Sequence, residues 1–279
     1  VLGIINGTTN YILTKMTDAV DAGGDADYGA ALKDAQSLGY AERDPTADVE
    51  GYDAGAKAAI IATVAFGKKV VAGDVYHQGI SEITSSEIAI ARRLGYVVKL
   101  LGIVERDAAT EEISVRVHPT MVPVQHPLAS VRDSFNAVFV EGDFVGSLMF
   151  YGRGAGGAPT ASAVFGDVVD AAINLRAGTH GSLGELGKAM IRPIDETSAE
   201  YLLGLDVADQ PGVLHSVTGV FAKHGVSIRA AEQEGNGPDA RLVFITHSAL
   251  EKDVQATVRD LNELDVVLKV GGLLRVIGD

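Results

Sequence analysis

The sequence has no cysteine, and basic side chains are scarce among its 279 residues. Without cysteine there can be no disulfide and no thiolate zinc site, which favours a reducing environment, and we expect a cytoplasmic protein. Lys and Arg number 23 against 37 Asp and Glu, which gives a formal net charge of −14. Such an acidic surface repels phosphate backbones, so we do not expect a nucleic-acid partner. No apolar run approaches the length of a membrane span, so we expect no membrane partner either.

Two other features are missing: a targeting segment and a histidine metal motif. The first residues, VLGIINGTTN, include no initiator Met, no basic segment and no small-residue cleavage site, so we expect a fragment of a longer protein. The seven histidines make no H-E-x-x-H or H-x-x-E-H spacing, and we expect no metal site from them. Apolar material is plentiful, since 47 % of the residues are hydrophobic, and the chain length fits two domains.

The order of secondary-structure patterns predicts an α+β protein. Helical spacing predicts a first helix near the N-terminus, with Thr8, Thr9 or Asn10 as its cap. Four β-rich stretches lie between residues 95 and 152, so we expect a mixed sheet with helices on one face. The remaining helices of this part are predicted at 28–38, 53–66, 84–94 and 160–175.

The C-terminal part is predicted to be a separate module. A glycine-rich, irregular stretch follows the last helix, so we place the first domain at 1–176 and a linker at 177–198. From 199 to 279 the pattern reads strand, helix, strand, strand, helix, strand, which is the ferredoxin-like βαββαβ order.

An acidic loop, GYAERDPTADVEGYDAGAK at 39–57, leads directly into an apolar helix. Asp53 and Lys57 lie four residues apart, so on a helix they share one face. The residues after Lys57 show no clearly polar face, so we expect this helix to be buried all round, with the lysine at a buried edge. Glu42, Asp48 and Asp53 would then form an acidic pocket suited to an ammonium group, with Lys57 as a proton donor or acceptor.

A plainer interpretation of the same pair is open. Asp53 could be the N-cap of the helix and Lys57 its solvated partner one turn later. Such a pair contributes about a few tenths of a kcal/mol to stability and needs no function. The spacing alone is consistent with both interpretations.

Several stretches together resemble homoserine dehydrogenases. NGTTNYIL at 6–13 is supportive, and the long motif at 39–57 is highly specific. Further similar stretches are GYVVKLLG, VPVQHPLASV, NAVFVEGD and FYGRGAGGAPTASAVFGD, all between 95 and 167. The resemblance covers nearly the whole chain. It implies a glyceraldehyde-3-phosphate-dehydrogenase-like catalytic domain, a mixed sheet with helices on one face, followed by an ACT module.

The resemblance also implies an activity and roles for four residues. The family interconverts L-homoserine and L-aspartate 4-semialdehyde with NAD or NADP, in threonine, methionine and isoleucine biosynthesis. Glu42 matches the glutamate that binds the substrate amino group, and Asp48 matches a further acid of the pocket. Asp53 and Lys57 match the aspartate and lysine at the reacting carbon. Lys57 would donate the proton to the aldehyde oxygen as hydride arrives.

The stretch GRGAGG at 152–157 fits G-x-G-x-x-G between a strand and a helix. The dinucleotide fingerprint needs a following parallel strand with an acidic residue about twenty residues on, and none follows. A tight strand-to-helix turn is therefore equally consistent with the pattern. The resemblance implies that this loop, through Gly154 and Gly156, approaches the nicotinamide end of the cofactor. Arg153 stands where proline is common in the family.

Members of the family carry a Rossmann domain ahead of the NGTTN segment, and no such domain precedes it in this sequence. We therefore expect the catalytic and regulatory portion of a longer enzyme, inactive alone. The resemblance assigns most of the cofactor contacts to that other domain, together with a second substrate lysine and most of a monovalent-cation site.

The stretch DVADQPGVLHSVTGVFAKHGVSI at 206–228 resembles an ACT domain. A tight turn ending at Gly212 leaves the first N–H groups of the next helix, near Val213 and Leu214, free to bind a carboxylate. Asp209 can bind an ammonium group. The resemblance implies an amino-acid effector bound between two such modules, with L-threonine, the end product, as the expected inhibitor.

Two alternatives are open. The module could keep the ACT fold only for dimer contact, and Gln210 and His215 stand where lysine and alanine are frequent, so the effector's identity is open. The chain could also be a non-catalytic amino-acid sensor with a degenerate catalytic domain, although the intact set of Glu42, Asp53 and Lys57 argues against decay. In either case the resemblance implies a homodimer or homotetramer.

Overall fold

The computed structural model describes residues 1–181, 184–235, 237 and 240–277. Seven positions that the sequence assigns to the linker or the C-terminal module lie outside the described residues: 182, 183, 236, 238, 239, 278 and 279. The helices of the described part are α1 (Gly7–Asp21), α2 (Tyr28–Ser37), α3 (Thr46–Val49), α4 (Tyr52–Phe66), α5 (Ser85–Arg93), α6 (Gly157–Ala177), α7 (Val213–Lys223) and α8 (Glu251–Asn262).

The described residues form thirteen strands. They are β1 (Leu2–Ile4), β2 (Lys68–Lys69), β3 (Tyr76–His77), β4 (Tyr96–Arg106), β5 (Ile113–Pro123), β6 (Phe135–Gly142), β7 (Gly146–Arg153), β8 (Gly187–Lys188), β9 (Ser198–Val207), β10 (Ile228–Glu234), β11 (Arg241–Thr246), β12 (Ala249–Leu250) and β13 (Val267–Val276). Short 3₁₀ turns lie at Ala72–Asp74, Pro127–Ser130 and Ile194–Glu196.

One mixed sheet organises the molecule. Among the described residues, nine strands run in the order β10-β11-β9-β13-β5-β4-β1-β6-β7. In addition, β12 pairs with β9, and β3 pairs with β5. β4 and β5 pair antiparallel along eleven residue pairs. Because side chains alternate along a strand, Leu100 enters the core beneath the helices and Leu101 enters a smaller core on the opposite face. Helices α1, α4 and α5 pack on the first of these faces.

The last elements form the ferredoxin-like module that the pattern predicts. β9, β10, β11 and β13 pair antiparallel in the order β10-β11-β9-β13. Helices α7 and α8 cover one face of these strands over a core that includes Tyr201, Leu203, Phe221 and Phe244. The predicted fold class, a mixed sheet with helices followed by a βαββαβ module, is confirmed.

The module's sheet is continuous with that of the first domain. β13 pairs in parallel with β5, with Arg275 beside Thr120 and Val276 beside Met121. On the face of the module's sheet that α7 and α8 leave open, Leu202 packs into the first domain's core. The two domains therefore share both backbone pairing and buried apolar contacts.

A buried ion pair of the C-terminal module lies at the same junction, and its arginine also bonds to the first domain. The guanidinium of Arg275 donates to both carboxylate oxygens of Glu251, at 2.8 and 2.6 Å, and to the side-chain oxygen of Gln78 at 3.0 Å. Arg275 is 3 % exposed and Glu251 is 2 % exposed. Removing one member of such a pair leaves an uncompensated buried charge, so the contact strongly favours this arrangement of β13, α8 and the loop of Gln78.

The described part of the segment between α6 and β9 is packed on the first domain. β8 pairs in parallel with β2. The N–H of Ile113 donates to the carbonyl of Met190 at 2.8 Å. Arg192 binds the carboxylates of Asp107 and Glu112 at 2.7 and 2.9 Å. The segment therefore holds a fixed path between α6 and β9.

Helix α4 is not buried all round, and this prediction is wrong. Ala54, Ala58 and Ala62 face the core, whereas Ile60 is 64 % and Val64 is 61 % exposed. The buried stripe consists of small residues because the helix lies close to β4 and β5, whereas Ile61 and Phe66 pack at the margin of the core. Because both faces of α4 are apolar, the hydropathy pattern could not indicate which face packs against the sheet.

Helix α6 and strand β7 form an exposed apolar surface at the edge of the sheet, which we call the outer apolar face. Phe150, Phe165 and Ile173 are 64, 68 and 60 % exposed. Apolar patches of this kind are unusual on a monomer surface. Neither α6 nor any other helix of the described residues is long and apolar enough to cross a bilayer.

Lys99 in β4 is buried with neutral partners. Its ammonium donates to the side-chain oxygen of Asn10 at 2.9 Å and to the carbonyl of Val131 at 2.6 Å, and the residue is 4 % exposed. The amide of Asn10 donates in turn to the carbonyls of Val131, Asp133 and Phe135. Lys99 and Asn10 together fasten the segment before β6 against α1.

Burial lowers the pKa of Lys99 to about 8 because the charged form loses its hydration. The nearby charge of Arg132 lowers it further, while Asp133 and Asp18 act in the opposite direction. An unfolded lysine keeps its proton to about pH 10.4. Between these values the unfolded chain therefore binds more protons at this residue than the folded chain does.

We predict that the free energy of unfolding gains a contribution from Lys99 that rises with pH between about 8 and 10. The slope is at most about 1.4 kcal/mol per pH unit, because stability increases with pH wherever the unfolded state binds more protons. Urea denaturation across this range measures it. Lys99→Met should flatten the profile, and Lys33→Met, which changes an exposed lysine of α2, should leave it unchanged. An identical slope in Lys99→Met would contradict the assignment.

Candidate active site

The acidic loop folds into α3 and a glycine turn that starts α4. Gly51, with φ at 82°, is the N-cap of α4, and Asp53 lies in its first turn. The plainer interpretation is therefore wrong about the cap, but the partly exposed one-turn pair of Asp53 and Lys57 that it describes is present. The ammonium of Lys57 lies 2.7 Å from Asp53 Oδ2, which is the one-turn pairing that the spacing predicts.

Two carboxylates meet where α1 and α4 begin. The side-chain nitrogen of Asn6 donates to Asp48 Oδ1 at 2.7 Å and to Asp53 Oδ2 at 2.9 Å. Asn6 is the N-cap of α1, and Asp53 is in the first turn of α4. Helix N-termini carry partial positive charge, so this is a favourable position for acidic side chains.

Lys57 has two partners among the described residues. Besides Asp53, its ammonium donates to the carbonyl of Ile5 at 3.1 Å. Within the described part of the chain, this leaves one of its three N–H groups available to a ligand. The side chain is 47 % exposed, so the prediction that it lies at a buried edge is wrong. The reason is the outward-facing flank of α4, which the described residues do not cover.

Thr8 connects the start of α1 to the acidic loop. Its hydroxyl oxygen lies 2.6 Å from the carbonyl of Tyr40 and 3.3 Å from Asp48 Oδ2. A hydroxyl has one proton, so the shorter contact to Tyr40 is the hydrogen bond and the carboxylate is the second acceptor within reach. This contact ties the beginning of the loop to the helix that carries Asn6.

Glu42 lies apart from this network. Its side chain is exposed, and within the described residues its contact is through the backbone carbonyl, which accepts from the side chain of Gln36 at 3.0 Å. The three acids of the predicted pocket are thus brought together in part. Asp48 and Asp53 are joined through Asn6, and Glu42 stands at the surface.

Asn6 is the polar residue of this site that the sequence analysis missed. The predicted caps of α1, Thr8, Thr9 and Asn10, all lie inside the helix and are buried, so that prediction is wrong. Asn6 accepts from the N–H of Thr9 at 2.9 Å, as an N-cap does. An Asn directly before Gly7, after an apolar strand, was the available signal, but the neighbouring threonines offered the same chemistry.

The glycine loop joins β7 to α6 as a tight turn and lies close to the start of α1. Gly156 has φ at 115°, a conformation that favours glycine. A Cβ on Gly154 would lie 1.9 Å from Asn136 Nδ2, and a Cβ on Gly7 would lie 3.5 Å from Asn136 Oδ1. One side chain, Asn136, therefore separates the glycine loop from the first turn of α1.

A small cavity of about 110 Å³ lies in the C-terminal module where β9 leads into α7. The four predicted effector residues, Asp209, Gly212, Val213 and Leu214, all line it. Gly212 has φ at 93° and is the N-cap of α7. One oxygen of Asp209 accepts from the N–H of Gly237 at 2.8 Å.

Comparison with known proteins gives the family. The model of the homoserine dehydrogenase family matches residues 1–169. The chain belongs to the homoserine dehydrogenase family. Residues 201–266 match the ACT domain, so the family member carries an ACT domain after its catalytic-family segment.

Individual relatives agree with this result. The homoserine dehydrogenase of Corynebacterium glutamicum is 50 % identical over 283 residues, which cover 100 % of this chain and 62 % of the relative. That of Bacillus subtilis is 42 % identical, with 100 % of this chain and 64 % of the relative covered. A crystal structure of a homoserine dehydrogenase from Thiobacillus denitrificans superposes with a TM-score of 0.90 at 38 % identity, covering 99 % of this chain and 63 % of that one. The chain thus spans less than two thirds of the length of these relatives.

Proposed function

We propose that this chain supplies the substrate-binding and proton-transfer groups of a homoserine dehydrogenase, which interconverts L-homoserine and L-aspartate 4-semialdehyde. The observation that carries the proposal is the ion pair of Lys57 with Asp53, joined through Asn6 to Asp48 at the beginning of two helices. Membership of the family supports this reaction over others that a lysine and a carboxylate could perform.

Lys57 is the proton donor in the reductive direction. Its ammonium gives a proton to the aldehyde oxygen, so that an O–H bond forms as an N–H bond of the lysine breaks. In the oxidative direction the neutral amine takes the same proton from the homoserine hydroxyl. Asp53 and the carbonyl of Ile5 hold the amine in place through both directions. NAD or NADP, when bound, supplies or accepts the hydride at the carbonyl carbon.

Glu42 and Asp48 bind the amino group of the substrate. The exposed carboxylate of Glu42 has no side-chain partner within the described residues, so it can turn to an ammonium group without breaking an existing contact. Asp48 is already held by Asn6 and adds negative charge at a fixed position. Carboxylates next to an ammonium group form charge-assisted hydrogen bonds, which are the stronger class.

The nicotinamide end of the cofactor binds at the glycine loop. Asn136 Oδ1 is buried and accepts no hydrogen bond from the described residues, so after a rotation of this side chain toward the loop it suits an amide N–H donor such as the nicotinamide carboxamide. A Cβ on Gly152 or Gly157 would meet nothing within 4 Å, which leaves room for a flat ring beside Gly154 and Gly156. These residues fit the group, and they lie one side chain from the start of α1.

The chain is divided between these tasks. We assign 1–176 to catalysis, 177–198 to the linker and 199–279 to regulation. The end of α6 at Ala177 and the start of β9 at Ser198 support these boundaries. The lack of cysteine supports a cytoplasmic location.

We predict that Lys57→Ala lowers turnover by about 10²–10⁴-fold, because general acid catalysis contributes a factor of this size. The test measures homoserine-dependent NAD(P)H formation by the whole protein that contains this chain. Since the side chain is half exposed, the stability of the variant should change little. Lys33→Ala removes an exposed lysine of α2 and should keep normal turnover. Near-normal turnover in Lys57→Ala would refute the role.

The ACT module is the regulatory site, with L-threonine as its effector. The N–H groups at the start of α7, near Val213 and Leu214, bind the carboxylate of the effector, and the N–H of Val213 turns to it from the carbonyl of Gln210, which lies 3.4 Å away. Asp209 binds its ammonium group. The support for this assignment is that all three residues line one cavity with Gly212.

We predict that Asp209→Ala weakens threonine binding by about 10- to 100-fold, because a hydrogen bond to a charged group contributes about 1.5–3 kcal/mol. Calorimetric titration of the whole protein with threonine measures the change. Glu263→Ala, at an exposed acid after α8, is the matched control and should bind normally. If titration of the unsubstituted whole protein with threonine gives no heat of binding, the effector assignment fails, and other amino acids are then titrated.

The outer apolar face is the contact between two copies in a homodimer. Its large exposed side chains lie on the edge strand β7 and on α6, so a second copy would cover both.

We predict that the whole protein that contains this chain sediments as a dimer and that Phe165→Glu, which places a charge in this face, shifts it to a smaller species. Val71→Glu changes another exposed apolar residue outside this face and should leave the assembly intact. A parent that sediments as a monomer would exclude the assignment.

A further inference from the structure

The side chain of Asn6 makes hydrogen bonds that connect the two carboxylates of the site to the start of α1. It is 5 % exposed, between the end of β1 and the first turn of α1. Each N–H of its amide reaches a different carboxylate, those of Asp48 and Asp53. Its oxygen accepts from the N–H of Thr9. Both the nitrogen and the oxygen of the side-chain amide are therefore hydrogen-bonded.

The surroundings permit one orientation of this amide. A reversed amide would place its oxygen against two carboxylates and its NH₂ group against the N–H of Thr9. These three contacts would pair like with like, and the hydroxyl of Thr9, 3.1 Å from the amide oxygen, would be the one contact able to accept from the reversed NH₂ group. The direction of the donors toward Asp48 and Asp53 is thus fixed by the backbone of α1, which holds the oxygen.

The physical problem that Asn6 addresses is the approach of two acidic side chains. Carboxylates that share a site repel each other unless a donor lies between them. A cation there would compete with Lys57 for Asp53 Oδ2, the oxygen that Lys57 and Asn6 share. A neutral group with two N–H donors satisfies both carboxylates and adds no charge.

Among the usual helix caps, asparagine alone meets these requirements. Ser and Thr can accept from the helix N–H, but each has a single O–H to donate. Asp can accept from the same N–H, but it has no donor when ionised and would add a third negative charge. Gly provides no side chain.

We propose that Asn6 is a positioning residue, which fixes Asp48 and Asp53 relative to each other and through Asp53 aims the ammonium of Lys57 at the reacting oxygen. This inference rests on the proposed function. The cap of α1 and the geometry of the catalytic pair are thus set by the same amide.

The test compares three variants of the whole protein that contains this chain. Asn6→Ser keeps a cap oxygen but removes the bridge, so the urea midpoint should stay near that of the parent while kcat falls on the order of 10²-fold, the effect expected of a misplaced catalytic group. KM should rise as well, because the same change releases Asp48, which binds the substrate amino group in the proposed function. Asn6→Asp keeps the shape and the cap oxygen and should lose at least as much activity.

Asp27→Ser is the matched control. Asp27 is the N-cap of α2 and accepts from the N–H of Gly29 at 2.8 Å, at an exposed position. Its replacement exchanges one capping side chain for another without contact to Asp48 or Asp53, so kcat should be unchanged. If Asn6→Ser keeps the kcat of the parent, the positioning role is overturned.

A crystal structure of Asn6→Ser separates this inference from the proposed function. We expect at least one of the two carboxylates, Asp48 or Asp53, to leave its position when their common donor is lost. If both stay within the error of the parent coordinates, the inference is wrong, whatever the activity. If the parent shows no homoserine-dependent activity, the proposed function fails, and the crystallographic result still decides whether Asn6 positions the carboxylates.

Discussion

Strand β5 is buried from Ile113 to Val122 and is paired along both edges, and this is the constraint that positions the rest of the molecule. β4 lies on one edge, while β3 and β13 lie on the other. A strand fixed in this way cannot slip by one residue without turning Arg116, His118 and Thr120 into the apolar core that now holds Ile113, Val115, Val117 and Met121. The register passes from β5 to β4 and from β4 to β1, where Leu2 lies beside Ile103. β1 then delivers Asn6 to the start of α1, so the acidic network is placed from the sheet outward.

Two lysines show how differently the fold uses the same side chain. Lys99 lies in the core with carbonyl and amide oxygens as partners, and burial lowers its pKa to about 8. Lys57 is half exposed and is paired with the carboxylate of Asp53. Lys99 fastens the segment before β6 to α1, and its contribution to the free energy of unfolding depends on pH. Lys57 stands where a substrate can reach it, and its carboxylate partner is held by a neutral amide.

The sequence was sufficient for features that arise from local periodicity. The ferredoxin-like order and the pairing of Asp53 with Lys57 depend on spacings within single elements, and both are present in the structure. The buried face of α4 could not be predicted in the same way. Alanine and isoleucine are both apolar and differ mainly in size, so hydropathy does not show which of them faces the sheet. The cap of α1 was ambiguous because NGTTN offers several side chains of equal capping ability. The contact of Arg275 with Gln78 joins residues 197 positions apart, and no local pattern encodes it.

The continuous sheet has a consequence for how this protein could be taken apart. The ACT module resembles a detachable accessory, yet β13 completes one edge of β5 beside Thr120 and Met121. Removing the module would uncover backbone N–H and C=O groups on a buried strand, the kind of edge that recruits other chains into aggregates. It would also deprive Gln78 of Arg275 and remove Leu202 from the core of the first domain. The role proposed for the module is therefore better tested by point substitution within it than by its deletion.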